Sequence, residues 1–512
     1  MKMNINPASD ATRWLSQLFT GLLKISPDQD CLVQGLAIDS RQVKKDYVFF
    51  AYQGSTVHGC EYMDMAIRQG ASVVVVDSFA DTQTLMSQSA VAVFVVPNLQ
   101  QQIGVIAARF FGAPSSALQV TGVTGTNGKT SCTHFIAQCL SDNNQATGLI
   151  GSLGVGLWGD LVASSHTTPD AIAIQQAFAV FRAKQVKHVV MEVSSHGLAQ
   201  GRVMGSEIDT AIFTNLSHDH LDYHGSIESY AKVKSLLFRM ASVKRAIINV
   251  DDAEGQKLMQ CIAPSVKRVG YGLSPAVMGF SGLKIRADIV RQDLRGLRLA
   301  VEGDWGAFIM EVPLIGRFNA SNVLAVSACL LVLGLSVERV IQCVSQLRAP
   351  SGRMERFGGC QDKPLVIVDY AHTPDALRQV LQTLREHCEH VLWVVFGCGG
   401  DRDRAKRAVM GKAAAQLADR VVLTDDNPRT ENPDQIIKDI QQGVLGAGSL
   451  RPEQVDIKRD RVEAIHYAIE QASPNDIVLI AGKGHEDYQQ IGSSYIPFSD
   501  RQVIAEMFGE AA

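Results

Sequence analysis

Gly122-Val-Thr-Gly-Thr-Asn-Gly-Lys-Thr-Ser131 follows closely on the apolar run Leu118-Gln-Val120, and Cys132 to Leu140 reads as a helix. A strand therefore enters a glycine-rich turn that opens into a helix. Successive backbone N–H groups in such a turn, with the positive end of the helix, form a cradle for phosphates. Within it Gly125, Thr126, Asn127, Gly128, Lys129, Thr130 and Ser131 are the candidate phosphate-binding residues. Lys129 is placed to reach the terminal phosphates and Thr130 to ligate an accompanying Mg²⁺. The usual P-loop spacing puts a glycine where Val123 stands, so the pattern is missed by one position. The reading that follows is ATP binding.

At 512 residues the chain exceeds what one core organises and suggests three domains. Its 46% hydrophobic and 20% charged residues are ordinary for a globular protein, and a net charge of −4 gives no reason to expect a nucleic acid or an anionic membrane as partner. Met1 to Pro7 lacks the apolar core of a signal peptide, and Val323 to Val337, the longest charge-free apolar run, is too short to span a bilayer and reads as a buried helix. The ten cysteines include no CxxC pair, as expected of reduced thiols. His387-Cys388-Glu389-His390 reads as the solvated face of a helix rather than a metal cluster. A cytoplasmic monomer without membrane insertion is expected.

Three α/β segments succeed one another. Residues 1–113 hold the short β-rich runs Gly35–Ile38, Tyr47–Ala51, Ala71–Val76 and Val91–Val96, and Phe111-Gly-Ala-Pro-Ser-Ser116 is a breaker-rich linker. Residues 114–349 contain the P-loop and the continuous apolar runs His188–Val193, Thr210–Asn215 and Arg245–Val250, the mark of parallel strands buried on both faces. Residues 350–512 repeat the rhythm, Rossmann-like, with Pro364–Tyr370, Val391–Phe396, Arg420–Thr424 and Asp476–Ala481. Loops at the carboxyl ends of such strands form the binding crevice of an open α/β sheet.

Glu192 ends a buried strand, where a carboxylate is placed to hold Mg²⁺ or, more plainly, to cap a helix. His218-Asp-His-Leu-Asp-Tyr-His224 is too rich in ligating groups to be read as packing, and composition alone leaves zinc open beside Mg²⁺. Gly399-Gly-Asp-Arg-Asp-Arg404, Asp425-Asp-Asn-Pro-Arg429 and Gly482-Lys-Gly-His-Glu486 combine charges of both signs at successive strand ends. Arginine is the natural bidentate partner of a carboxylate, and Asp or Glu of an ammonium, so these loops suit a zwitterionic, amino-acid-like substrate.

With Thr124–Thr130, Met191-Glu-Val-Ser-Ser-His196, Asp219-His220, Gly316-Arg-Phe-Asn-Ala-Ser-Asn322, Ser351-Gly-Arg353, Asp369-Tyr-Ala-His372 and Asp426–Arg429, the chain resembles the Mur ligases over all three segments. The off-spacing P-loop is the form that family uses. The likeness is to the branch that adds meso-diaminopimelate to UDP-N-acetylmuramoyl-L-alanyl-D-glutamate in peptidoglycan synthesis. It implies an ATP-dependent ligase working through an acyl phosphate, with a UDP-binding first domain, an ATP-binding centre and an amino-acid-binding third domain.

By the same resemblance Thr130, Glu192, His220 and a carbamylated Lys234 hold Mg²⁺, Lys232 being the competing lysine by composition. Asn319, Arg353, Asp369 and His372 contact the nucleotide. Ile38, Ser40, Ser55, Thr56, Val57, Thr167, Thr168, Ser194, Gln200 and Arg202 meet the UDP-sugar peptide, although His166 stands where the family often has Asn. Arg402, Asp426, Asn427, Pro428, Arg429, Gly482 and Glu486 take the diaminopimelate. A lysine-adding Mur ligase or a folylpolyglutamate synthase is the alternative in the class, and Arg429 favours the extra carboxylate of diaminopimelate. A P-loop GTPase would need an Asn-Lys-x-Asp motif, and none is visible.

Overall fold

The computed structural model describes residues 12–54, 57–77, 89–141, 146–164, 166–217, 219–359, 363–448 and 454–509. Ser55, Thr56 and His218 lie outside the described residues. Three main sheets follow one another along the chain.

The first is four-stranded and parallel, in the order Gly35–Ala37, Tyr47–Ala51, Ala71–Val76, Ala92–Val95. Valine-rich strands bury both faces here. The helix Leu99–Phe110 lays Leu99, Ile103, Ile106 and Phe110 on this core, which also takes in Ala171 and Ile172 of the central unit. The first and second units thus share apolar contacts.

The second sheet has eleven strands. Its parallel centre runs Thr147–Gly151, His188–Glu192, Gln119–Thr124, Thr210–Phe213, Arg245–Asn249, Lys267–Gly272. The P-loop strand lies between the strands that end at Glu192 and Phe213, so their loops converge on it. The helix after the P-loop spans Lys129–Ser141 and so starts three residues before the expected Cys132. At one edge Gly154–Leu157 and Asp160–Val162 form a hairpin; at the other Leu283–Asp293, Gly296–Gly303 and Phe308–Val312 make an antiparallel wing. The wing alternates, Leu297, Leu299 and Val301 in and Arg298 and Glu302 out, so it gives no continuous apolar run. The run Val323–Val337 is not one helix. The helix Arg317–Val332 stops at Gly334, whose φ of +97° suits glycine, and Ser336 caps the next helix, Val337–Val344.

The third sheet runs Glu355–Gly358, Leu365–Asp369, Ile477–Ala481, Leu392–Phe396, Arg420–Leu423, Val455–Ile457, with only the first strand antiparallel. The strand Ile477–Ala481 sits between two earlier ones, and the loop after it opens at the crevice. The helix Pro374–Arg385 ends before His387, so 387–390 is a connection with Cys388 buried, not a helical face. The nine described cysteines form no disulfide.

Candidate active site

Two glycines make the phosphate cradle possible. A Cβ on Gly128 (φ +85°) would stand 2.5 Å from Asn322 Oδ1, and one on Gly125 would strike the Thr214 hydroxyl. Both positions need backbone that a side chain would block. Thr214 Oγ1 donates to Asn127 O at 2.6 Å and Asn215 Oδ1 accepts from Asn127 N at 2.9 Å, fixing the loop from the neighbouring strand. Lys129 folds back, its Nζ donating to Gly125 O and Thr126 O, each at 2.8 Å. Thr126 to Ser131 line the cleft that opens above.

Glu192 is fully buried at the floor of this cleft. Its Oε2 accepts from Thr130 Oγ1 at 2.9 Å and its Oε1 from Ser152 N at 2.7 Å. It therefore acts on the P-loop hydroxyl and does not cap a helix. A buried carboxylate beside a hydroxyl is an oxygen-donor set of the kind hard Mg²⁺ takes. Among the described residues no three His, Cys, Asp or Glu side chains surround a common point, so such side chains alone do not complete a cation's ligand shell here.

His220 has a left-handed φ of +53°, and its Nε2 lies 3.2 Å from Asp219 Oδ2. Burial, against the pull of Asp219, pushes its pKa down to about 4, so the ring is a neutral potential ligand. His224 is instead used in packing, 5.0 Å from the Tyr230 ring and 5.6 Å from that of His196.

Lys234 is 1% exposed, whereas Lys232 faces solvent. Tyr230, one helical turn earlier, carries the Lys234 ammonium 4.4 Å over its ring. Lys234 Nζ donates to Gly125 O at 2.8 Å, the carbonyl that Lys129 also uses. Burial, and then the charge of Lys129, hold Lys234 well below the usual lysine range.

The third unit supplies the roof. Arg353 stacks 4.2 Å over the Tyr370 ring, and its Nη2 donates to Thr130 Oγ1 at 3.3 Å. Asp369 accepts from Met354 N at 2.8 Å, and burial lifts its carboxyl to about 6 despite Arg353. His372 Nδ1 lies 2.9 Å from Tyr370 O, and burial lowers its pKa to about 4. Asn319, on the helix Arg317–Val332, donates to Ile315 O at 2.9 Å and lines the same cleft with Phe318 and Asn322. All four expected nucleotide contacts from outside the P-loop thus border one cavity with it.

The expected UDP-side residues that are described separate into four groups. Ile38, Gln200 and Arg202 line a cavity between the first and second units, together with His166, Tyr52 and Asp170. Arg202 is held by Gln200 Oε1 (2.9 and 2.7 Å) and Thr168 O (2.6 Å). Thr168 and Ser194 support from behind, with Ser194 N donating to Thr168 Oγ1 and that hydroxyl to Glu192 O, both at 2.9 Å. Thr167 faces the nucleotide cleft, accepting from Ser152 Oγ at 3.0 Å. Ser40 and Val57 do not border the UDP-side cavity. Ser40 starts a short turn and points to Met65 Sδ at 3.5 Å, and Val57 accepts from Gly54 N at 3.0 Å.

On the amino-acid side, Asn427 Nδ2 donates to Glu486 Oε2 at 2.9 Å. Gly482 needs its φ of +113°, since a Cβ would approach Asp426 Oδ2 to 2.7 Å. Pro428 is buried, and Arg429 donates to Gly400 O at 2.7 Å and Gln490 Oε1 at 3.1 Å. Neither nearby aspartate pins Arg429: Asp425 is paired with Arg459, and Asp426 faces Lys483. Arg402 is exposed, with one bond to Asp401 O at 3.3 Å, but its stem and the Arg429 guanidinium flank Gly399.

Glu486 lines a second cleft of about 980 Å³, and Ser152, Thr167 and Tyr370 border both this cleft and the nucleotide cavity. Tyr370 and Lys483 stand inside quoted motifs and were readable there; Ser152 and Tyr488 carry no such signal.

Fold and site define a three-domain P-loop protein with a polar substrate cleft between its units. The sequence matches the Mur ligase family catalytic domain over residues 32–111, the Mur ligase middle domain over 123–330 and the Mur ligase glutamate ligase domain over 352–484. It is 44% identical over 502 residues to the UDP-N-acetylmuramoyl-L-alanyl-D-glutamate–2,6-diaminopimelate ligase of Alkalilimnicola ehrlichii, covering 97% of this chain and 99% of that one. The protein of the same name in Coxiella burnetii is 44% identical, covering 95% and 98%. A solved structure of a ligase of that name superposes with a TM-score of 0.67 at 36% identity over 97% of this chain and 99% of the other. MurF from Acinetobacter baumannii shares the fold, with a TM-score of 0.64 at 18% identity, covering 98% and 100%. The chain belongs to the Mur ligase family.

Proposed function

We propose that this chain is an ATP-dependent ligase that joins meso-diaminopimelate to UDP-N-acetylmuramoyl-L-alanyl-D-glutamate, a cytoplasmic step of peptidoglycan precursor synthesis. The observation that carries the reading is the shared wall: Ser152, Thr167 and Tyr370 border both the P-loop cavity and the cleft that ends at Glu486. An acyl phosphate formed on one side is open to an amine held on the other. Relatives at 44% identity over nearly the whole chain carry the name of this reaction. The division 1–113, 114–349 and 350–512 assigns UDP-sugar peptide, ATP and amino acid to successive units of one monomer.

The D-glutamyl γ-carboxylate attacks the γ-phosphorus of ATP, ADP leaves, and the diaminopimelate amine then attacks the acyl carbon. The tetrahedral intermediate collapses to amide and phosphate, and the amine's proton passes to solvent. Lys129, drawn off its own loop, and Arg353 neutralise charge on the transferring phosphoryl group. Glu192 and Thr130, with His220, would hold a Mg²⁺, whose charge would further neutralise the phosphates. Lys234, whose ammonium form burial disfavours, would add CO₂ through the lone pair of its free amine and lose a proton, becoming a carbamate that would offer oxygen to the same site. Arg202 and Gln200 hold the UDP-sugar peptide. Arg429, Asp426, Asn427 and Glu486 hold the zwitterionic end of the amino acid that is not joined, and the protein acts chiefly by positioning. Among the described residues no helix is long and apolar enough to cross a membrane.

The test is phosphate release with ATP, the UDP-dipeptide and a panel of amino acids. Release that needs both the muramyl nucleotide and diaminopimelate is expected. Release supported equally by lysine or glutamate, or independent of any amino acid, would sink the reading.

A further inference from the structure

The Lys483 ammonium is fully buried in the turn after the strand Ile477–Ala481, at the crevice end of the third sheet. Its Nζ donates to Glu486 Oε2 and to Asn427 Oδ1, each at 3.0 Å, and lies 3.9 Å from Asp426 Oδ1. The Tyr488 ring covers it at 5.6 Å. Asn427 Nδ2 donates to the same Glu486 oxygen, so Oε2 is occupied by the protein. Oε1 accepts no hydrogen bond among the described residues, and Glu486 lines the wide cleft. One carboxylate oxygen is therefore anchored and its twin is left for a ligand.

The charges add a second point. Asp426 and Glu486 contribute two negative charges and Lys483 one positive, so these three side chains in contact carry one net negative charge, the nearby buried Arg461 being paired with Asp500. An ammonium removed from water is held only where carboxylates compensate it, so the three side chains act as a unit. Arg429 N donates to Gln490 O at 3.1 Å and Gln490 N to Asn427 Oδ1 at 2.8 Å, which sets Arg429 beside this unit. One net negative charge beside a guanidinium that bonds only neutral oxygens among the described residues matches an end that bears both an ammonium and a carboxylate.

We propose that Lys483 is the positioning residue of the amino-acid subsite, anchoring Glu486 by Oε2 so that Oε1 meets the substrate ammonium. By cancelling one of the two carboxylates it also tunes the subsite to a zwitterionic end over a purely cationic one. The inference rests on the diaminopimelate reading above and adds a residue which that reading does not need.

Lys483→Met keeps the volume and removes the charge. The Asn427 and Glu486 oxygens it served still accept from Gln490 N (2.8 Å) and Asn427 Nδ2, so the loop keeps its frame. The diaminopimelate KM should rise roughly tenfold or more, the loss expected for a hydrogen bond to a charged group. The KM values for ATP and the UDP-dipeptide should hold, and the ratio of kcat/KM for diaminopimelate over L-lysine should fall. A subsite with two uncancelled carboxylates favours the cationic end of lysine. Lys483→Gln keeps a donor and loses the charge; it should recover part of the KM yet show the same fall in preference, and it carries the test should the methionine variant not fold. An unchanged diaminopimelate KM, or a rise in all three KM values with preference intact, overturns the proposal. Wild-type protein without diaminopimelate-dependent turnover would overturn the functional reading instead.

Discussion

Lys129 and Lys234 donate to one carbonyl, Gly125 O, and two ammonium groups so close in a buried site repel each other. The fully enclosed Lys234 is the one expected to lose its proton, which is the state that reacts with CO₂. Lys234→Ala should be nearly inactive and partly restored by added short carboxylates, while Lys232→Ala, changed at the surface, should resemble wild type. Activity assays with and without formate or acetate decide this; a normal Lys234→Ala enzyme would end the assignment. Asp369 gives a pH signature of its own. Burial lifts its folded pKa to about 6, above its unfolded value near 4, so the folded state binds the proton more tightly. Its contribution to stability is thus complete below about pH 4 and disappears as pH rises through 6. Asp369→Asn should gain on wild type between pH 4 and 7, by at most about 3 kcal/mol. Thermal melts at both pH values check it, and a difference that does not change with pH would contradict it.

The loop Asp425–Arg429 is the element on which the proposed amino-acid choice turns. Asp425 is clamped by Arg459 through bonds of 2.8 and 2.9 Å, which anchors the loop's start. Arg429 has a left-handed φ of +51°, and its backbone N–H and C=O join Gln490 O and Gly492 N of the following hairpin. Its guanidinium is satisfied by one carbonyl and one amide oxygen, neutral partners that a carboxylate would outcompete. Arg429→Ala should raise the diaminopimelate KM by roughly tenfold to a hundredfold, with little effect on ATP or the UDP-dipeptide. Lysine should remain a poor substrate, because truncation removes a partner without building a lysine pocket. A parallel loss for all three substrates would mean that Arg429 only ties the loop to the hairpin.

Across the whole molecule, the joint between the second and third units links the two half-sites. Gly352, beside Arg353, has a φ of +65°, and a Cβ there would fall 2.2 Å from the Gly484 carbonyl carbon and 2.3 Å from His485 N. The joint thus rests backbone to backbone on the loop that carries Glu486. Displacing either strand of this contact moves Arg353 away from Thr130 and Glu486 away from Asn427. Gly352→Ala should therefore raise the KM for ATP and for diaminopimelate together while leaving that of the UDP-dipeptide unchanged, a pattern distinct from that of Arg429→Ala. A variant with all three KM values unaltered would show that the two half-sites are independent.

The P-loop was legible because its conformation is a local matter: Gly125 and Gly128 hold backbone that other residues resist, and strand, turn and helix follow in sequence. The parallel strands were legible for a similar reason, since burial on both faces leaves a run such as Ile477–Ala481 wholly apolar. Asp426–Arg429 and Glu486 could be named because loops at the ends of such strands meet at one crevice. Other features depend on which strand lies beside which. Arg353 reaches Thr130 across 223 residues, Lys483 finds Asn427 across 56, and Glu192 meets Ser152 across 40. The alternating wing after Leu283, the exposure of Arg402, and the turning of Ser40 toward Met65 were equally beyond local reading. Backbone preference and hydrophobic pattern are written residue by residue, whereas a side chain's partner and burial are set only when sheet order brings distant segments together.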